Sequence, residues 1–150
     1  MEIKFRTWIF KEKKMKKVYG LCWQKDILQV EVLRDEILKE GLENMSILNN
    51  PNCFEYWINE KECIIMRYTE RKDKNGKEIY EGDIVKVKNI ASEEEAIGFI
   101  QFNSRRGYYE IVFDNSPAGT EVFENYTFSS WEIEVIGNIY ENPNLLKKGE

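Results

Sequence analysis

The sequence predicts a mainly β fold, β with minor α, built of antiparallel strands. Three observations carry this. Short runs rich in Ile, Val, Tyr, Phe and Trp recur along the chain, several alternating apolar with polar residues. Turn residues separate them at close intervals, among them Gln24-Lys25-Asp26, Asn75-Gly76 and Glu81-Gly82-Asp83. In the carboxy-terminal half such runs follow one another with tight turns, which predicts a small coiled barrel, SH3-like in outline, over residues 82–142.

From the start, Glu2–Ile9 alternates, with Ile3, Phe5, Thr7 and Ile9 on one side and Lys4, Arg6 and Trp8 on the other, the pattern of a half-buried strand. Glu12-Lys13-Lys14 is a turn, and Lys17–Trp23 and Ile27–Leu33 follow as strands. In Arg34–Leu48, Ile37, Leu38, Leu42 and Met45 stand at helical spacing. A short amphipathic helix is expected there, although Gly41 weakens it by ~1 kcal/mol. Residues 1–48 therefore read as an amino-terminal sheet with a short helix. Asn49-Asn50-Pro51-Asn52 is a loop and the candidate boundary between this part and the rest.

Residues 49–81 read as a hairpin followed by a turn-rich bridge. Cys53–Ile58 and Glu62–Tyr68 are expected to pair around Asn59-Glu60-Lys61. Cys63–Tyr68 is apolar enough to be covered on both faces. The charged turn Lys72–Lys77 then breaks the pattern, and Asn75-Gly76 tolerates the positive φ that a tight turn needs. This turn is read first as a structural link between two sheets. As a loop on a rigid scaffold, Asp73, Lys74, Asn75, Gly76 and Lys77 also form the candidate binding loop.

Past this bridge the expected strands are Gly82–Lys88, Ala96–Phe102, Tyr108–Phe113 and Trp131–Tyr140. Glu93-Glu94-Glu95 belongs to an exposed acidic loop, residues 103–107 turn, and residues 114–119 form a loop. Pro143 suits the first position of one helical turn, and residues 143–150 are a tail that frays at its end.

Three segments together resemble a known family. They are Ile3-Lys4-Phe5-Arg6-Thr7-Trp8; Tyr68-Thr69 with Asp73-Lys74-Asn75-Gly76-Lys77-Glu78-Ile79-Tyr80-Glu81-Gly82-Asp83-Ile84-Val85; and Val135-Ile136-Gly137-Asn138-Ile139-Tyr140-Glu141-Asn142. Their order and content are similar to the YopX family of phage and prophage proteins, and the long central segment is the specific one. The family usually carries glutamine, glycine and leucine where this chain has Arg67, Glu70 and Arg71. The resemblance implies a single YopX-like domain over 1–150 with several coiled antiparallel sheets. It implies a phage- or prophage-encoded accessory protein with no established activity, and it supplies no catalytic residues.

Composition narrows the function classes. Hydrophobic residues make up 42% of the 150 and aromatics 13%, enough for the core of one domain or of two small ones. The formal net charge is −5, which opposes bulk attraction to nucleic acid. That charge is uneven: Met1–Lys17 holds seven basic and two acidic residues, a net of +5, so residues 18–150 carry −10. Cys22, Cys53 and Cys63 lack C-x-x-C spacing and read as reduced thiols of a cytoplasmic chain in a bacterial host cell, each a small buried apolar residue. With no histidine and three scattered cysteines, no metal site is expected. No apolar run approaches the ~20 residues of a membrane span, and the start has no signal-peptide pattern.

The same absences argue against an enzyme. Histidine-based nucleophilic catalysis is excluded, and no glycine pattern for phosphate or dinucleotide binding occurs, so no cofactor is expected. Aligning Gly76 with the sixth position of a calcium loop puts Arg71 first and Gly82 twelfth, where acids are needed. Glu81 and Asp83 flank a turn glycine and are expected to be solvated, which leaves them poor candidates for acid–base work.

Two functions remain. The favoured one is protein–protein binding, as a homo-oligomer or with a host or phage protein, through the aromatic-rich β surface and open sheet edges. The alternative is a nucleic-acid-binding module using Lys4, Arg6, Trp8, Lys13 and Lys14, with Lys16 and Lys17, and Arg105 and Arg106. Trp8 can serve stacking in that reading, but packing against a neighbouring strand is the commoner use of such a residue.

Overall fold

The structure is a computed structural model that describes residues 3–39, 49–113, 119–127 and 129–147. Antiparallel strands dominate it: β1 (Phe5–Ile9), β2 (Lys14–Lys17), β3 (Gly20–Gln24), β4 (Ile27–Leu33), β5 (Phe54–Ile58), β6 (Cys63–Lys72), β7 (Glu78–Tyr80), β8 (Asp83–Asn89), β9 (Glu95–Asn103), β10 (Tyr108–Phe113), β11 (Thr120–Val122) and β12 (Trp131–Asn138). One short helix, α1 (Asp35–Lys39), and 3-10 turns at Pro51–Cys53, Phe123–Tyr126 and Pro143–Leu146 complete the described elements. The chain divides into two compact units, Ile3–Met66 and Arg67–Glu150. The division falls inside β6, and the 49–52 loop lies within the first unit.

In the first unit β3, β4 and β5 form one sheet, while β2 and β1 pair in another that β6 joins. Thr7, Trp8 and Ile9 are buried in succession, so β1 is covered on both faces at this end rather than half-buried throughout. Ile9, Val30, Val32 and Cys63 form one apolar cluster with Val18, Trp57 and Ile65 against it. Leu33, Cys53 and Phe54 form a second, against which Tyr19 and Ile37 pack. At ~25 cal/mol per Å² of apolar surface, the first cluster rather than strand propensity holds the two sheets together, and the second packs the helix against β4 and β5.

Two local expectations change here. Lys17–Trp23 is not one strand. Val18 N–H donates to Phe5 O at 3.1 Å and Tyr19 N–H to Glu31 O at 2.9 Å, so the chain changes partner, and sheet, within two residues. Nor do Phe54–Ile58 and Cys63–Tyr68 pair with each other. Glu60 takes a positive φ of 65° and the Glu62 carboxylate accepts from Ile58 N–H at 2.7 Å. This tight turn sends β6 to the sheet of β1, while β5 pairs with β4. The helix covers Asp35–Lys39; Gly41, Leu42 and Met45 lie outside the described residues.

In the second unit five strands form one curled, half-barrel sheet in the order β11-β10-β9-β8-β12. Over 82–142 the expectation of a small barrel is met at the level of this open antiparallel sheet, with β11 and β12 at its edges. Val85, Val87, Ile100, Ile111, Phe113 and Ile133 project from it into a core completed by Ile79, Phe123 and Tyr126. At Gly98 a Cβ would stand 2.6 Å from the Val112 carbonyl oxygen, so only glycine lets β9 and β10 approach this closely. Strand β11 and the Phe123–Tyr126 turn were not expected. Three residues reading Thr-Glu-Val carry no periodic signal, and the loop before them, save Gly119, lies outside the described residues.

Candidate functional site

The 73–77 loop is built inward. Asp73 Oδ1 accepts from the Asn75 and Lys77 N–H groups at 2.8 and 2.9 Å, and Oδ2 accepts from Val135 N–H at 3.0 Å. The side chain that the sequence offers as a ligand is therefore 7% exposed and engaged with three backbone donors. Burial works to raise the Asp73 carboxyl, but the Val135, Lys77 and Asn75 N–H groups and the Lys77 charge outweigh it, holding it below the ordinary value of 3.8. Lys74 N–H donates to Ile133 O at 2.8 Å, and Gly76 at φ 80° lets the turn close. Lys74 Nζ lies 3.3 Å from Glu134 and 3.9 Å from Glu132. The loop is a brace from the β6–β7 turn to β12, with Asn75 and Lys77 left exposed.

The Glu81-Gly82-Asp83 turn departs from the solvated pair expected of it. Asp83 is 1% exposed, and its Oδ2 accepts from Tyr80 N–H at 2.8 Å. Glu81 Oε2 accepts from Arg67 N–H at 2.8 Å. Gly82 donates to Ile100 O and accepts from Ile139 N–H, each at 2.8 Å, so the turn is stitched into the sheet and carries Asp83 inside with it. Both acids satisfy backbone donors that would otherwise be unpaired.

The basic residues of the amino-terminal stretch do not form one exposed surface. Trp8 is interior, at 8% exposure. Lys4 and Arg6 are half-buried. Lys13 is exposed at φ 51°, and Lys14 Nζ binds Asp35 at 2.7 Å. Lys17 lies over the Tyr19 ring, 4.9 Å from its centre. Lys16 is 5% exposed; its Nζ contacts Glu55 at 2.6 Å, Asp35 at 3.0 Å and Glu12 at 3.2 Å. Burial opposes its charge, yet the three carboxylates outweigh burial and raise its pKa. Arg105 and Arg106 belong to the second unit, on an exposed turn whose N–H groups are held by Asn103 Oδ1 at 3.1 Å. The Arg106 guanidinium donates to Tyr108 Oη at 2.8 Å.

Three features had escaped the sequence. One is the Lys16 cluster just described. The second is a shallow depression of about 230 Å³ lined by Lys74, Lys86, Lys88, Glu95, Glu132 and Glu134. Register explains it: Glu134 stands opposite Lys86 and Glu132 opposite Lys88 across β12 and β8, so opposite charges alternate and leave no one-signed field for an ion. The third is apolar exposure on the β3-β4-β5 sheet, where Trp23 is 68%, Tyr56 49%, Ile27 47% and Leu21 41% exposed. Register puts Leu21 and Trp23 on one face of this sheet and Ile27 and Tyr56 on the other, a pairing that is not local information.

Cys53 and Cys63 are buried as expected, whereas Cys22 is exposed on β3. Burial pushes the Cys63 thiol up. Among the described residues no three His, Cys, Asp or Glu side chains come together as a metal set, and no helix is long and apolar enough to cross a membrane.

The model of the family described as YopX protein matches residues 4–147. Among solved structures, protein yopX from Bacillus subtilis shares this fold with a TM-score of 0.60 at 19% identity, over 96% of this chain and 98% of its own. Protein EF1440 from Enterococcus faecalis aligns with a TM-score of 0.59 at 25% identity, over 98% and 99%. No curated protein is recognisably similar in sequence.

Proposed function

We propose that this chain, which belongs to the YopX protein family, acts by binding protein through uncharged sheet surface, as an accessory factor of a phage or prophage in the bacterial cytoplasm. The observation that carries the reading is a contrast in how residues are used. Asp73, Lys74, Glu81, Asp83, Lys14 and Lys16 all serve internal bonds. Leu21 and Trp23 on one face of the three-stranded sheet, and Ile27 and Tyr56 on its other face, stand 41–68% exposed. The exposed Leu21–Trp23 pair on the uncharged edge strand β3 is the kind of apolar surface that protein partners use.

Salt separates this from the nucleic-acid reading. Association through apolar surface changes little between low and moderate salt, because burial is not screened. Five phosphate contacts on duplex DNA would give a log–log slope of about −4.5. Light scattering and a DNA and RNA titration across salt are expected to show salt-insensitive association and no steep nucleic-acid binding. Tight binding of either nucleic acid with that slope would overturn the proposal.

A further inference from the structure

We infer that β3 is a self-pairing edge, and that its partner is β3 of a second copy of this chain, antiparallel about Cys22. The inference rests on the protein-binding reading and names its occupant. Six of the described strands are sheet edges: β2, β3, β5, β7, β11 and β12. Five carry charge that guards them: Lys14 and Lys17 on β2, Glu55 on β5, Glu78 on β7, Glu121 on β11, Glu132 and Glu134 on β12. β3 reads Gly-Leu-Cys-Trp-Gln, with no charge and no proline, and four of its five residues are exposed. Two copies can therefore approach edge to edge without setting like charges opposite each other.

The register follows from the hairpin. β3 and β4 turn over Lys25-Asp26, with Gln24 opposite Ile27 and Gly20 opposite Glu31. In an antiparallel ladder bonded and non-bonded pairs alternate. The closing pair of a two-residue loop is bonded, and Glu31 O points to β3, where it accepts from Tyr19 N–H. Cys22, with Gln24 and Gly20, thus spends its backbone groups on β4, and Leu21 and Trp23 direct theirs to the open edge. A two-fold axis at Cys22 sets Leu21 opposite Trp23 of the second copy, twice, and uses every one of those outward groups in four hydrogen bonds. Cys22 then faces its own copy in a non-bonded pair, about 4.5 Å between Cα atoms, within the ~4.4–6.8 Å that a disulfide spans.

Two five-residue strands bury well under the ~1,200 Å² of a standing interface, so this dimer is a weak, exchanging one. The full-length chain is examined by light scattering up to about 1 mM, and by mild diamide oxidation followed by non-reducing electrophoresis. Oxidation removes two electrons and two protons from a pair of thiols, and diamide accepts them. A concentration-dependent dimer is expected, cross-linked through Cys22 while the buried Cys53 and Cys63 stay unreacted. Cys22→Ser should abolish the cross-link and keep the dimer. Trp23→Lys, at a side chain 68% exposed, should keep the far-UV circular dichroism of the parent and raise the dissociation constant at least tenfold. A monomer throughout, or a dimer that neither cross-links through Cys22 nor responds to Trp23→Lys, overturns the pairing. In the latter case binding by apolar surface still stands; steep, salt-sensitive nucleic-acid binding would remove that reading as well.

Discussion

The Asp73 carboxylate holds the Val135 backbone N–H at 3.0 Å across 62 residues of sequence. One side chain thereby ties the β6–β7 turn to β12 while closing its own loop on Asn75 and Lys77. Hydrogen bonds to a charged acceptor contribute ~1.5–3 kcal/mol each, and a buried donor left unmade is costly. Asp73→Ala should therefore destabilise the protein by about 3 kcal/mol in urea unfolding. Asp73→Asn, which keeps one acceptor oxygen, should cost less. A loss under ~0.5 kcal/mol for Asp73→Ala, the range of surface changes, would contradict the brace.

Acid should expose the same bond. Asp73 titrates below its ordinary value in the folded chain. Asp35, hydrogen-bonded by Lys14 and then Lys16, sits at about 2 against an ordinary 3.8. Between these values the unfolded chain binds more protons than the folded one. Stability from both groups is thus complete above pH ~4 and is lost as pH falls through the folded values. Urea midpoints measured from pH 5 down to pH 2 should decline, and Asp73→Asn should flatten part of that decline. An unchanged slope in the variant would show that another group carries it.

What could be read from the chain was local. Nearly every strand and turn of the second unit, the Pro143 helical turn and the turn at Gln24-Lys25-Asp26 follow from residue order, because alternation and turn chemistry act over a few positions. Partner choice does not. Cys53–Ile58 and Glu62–Tyr68 look like a hairpin, yet β5 and β6 enter different sheets because β4 and β1 compete for them. Asp73 looks like a solvated loop acid since its third donor is 62 residues away. Lys16 looks like one lysine among several, and only its register opposite the buried Thr7 turns it inward.

That register makes Lys16 a structural cation. Its loss would take the shared cation from Glu12 and Glu55 and leave Asp35 with Lys14 alone. Breaking a fully buried pair costs ~3–5 kcal/mol; these carboxylates keep 22–31% exposure, so Lys16→Met should cost about 2 kcal/mol. Lys13→Met, three residues earlier in sequence and outside the cluster, should change stability by under ~0.5 kcal/mol. Thermal unfolding of the two variants side by side tests this, and equal shifts would show that Lys16 is no more than a surface lysine.

Glu70 offers the opposite experiment. Between the pairs Tyr68–Tyr80 and Lys72–Glu78, β6 uses three residues where β7 uses one. The extra residues bulge, and Glu70 takes φ 64° within the bulge. Thr69 Oγ1 donates to Ile79 O at 2.8 Å and accepts from Arg71 N–H at 3.3 Å, which holds the bulge from both sides. The neighbouring arginines are accommodated: Arg67 stacks on Phe102 at 4.6 Å, and Arg71 reaches Glu124 at 3.0 Å. Glu70 alone of the three sits in a backbone region that disfavours an L side chain by ~1–2 kcal/mol. Glycine, which the family usually carries here, removes that strain but loses more entropy on folding. The strain term is the larger, so Glu70→Gly should stabilise the chain by about 0.5–1 kcal/mol and Glu70→Val should destabilise it. Equal urea midpoints for the parent, Gly and Val chains would mean that the bulge relaxes to negative φ in solution.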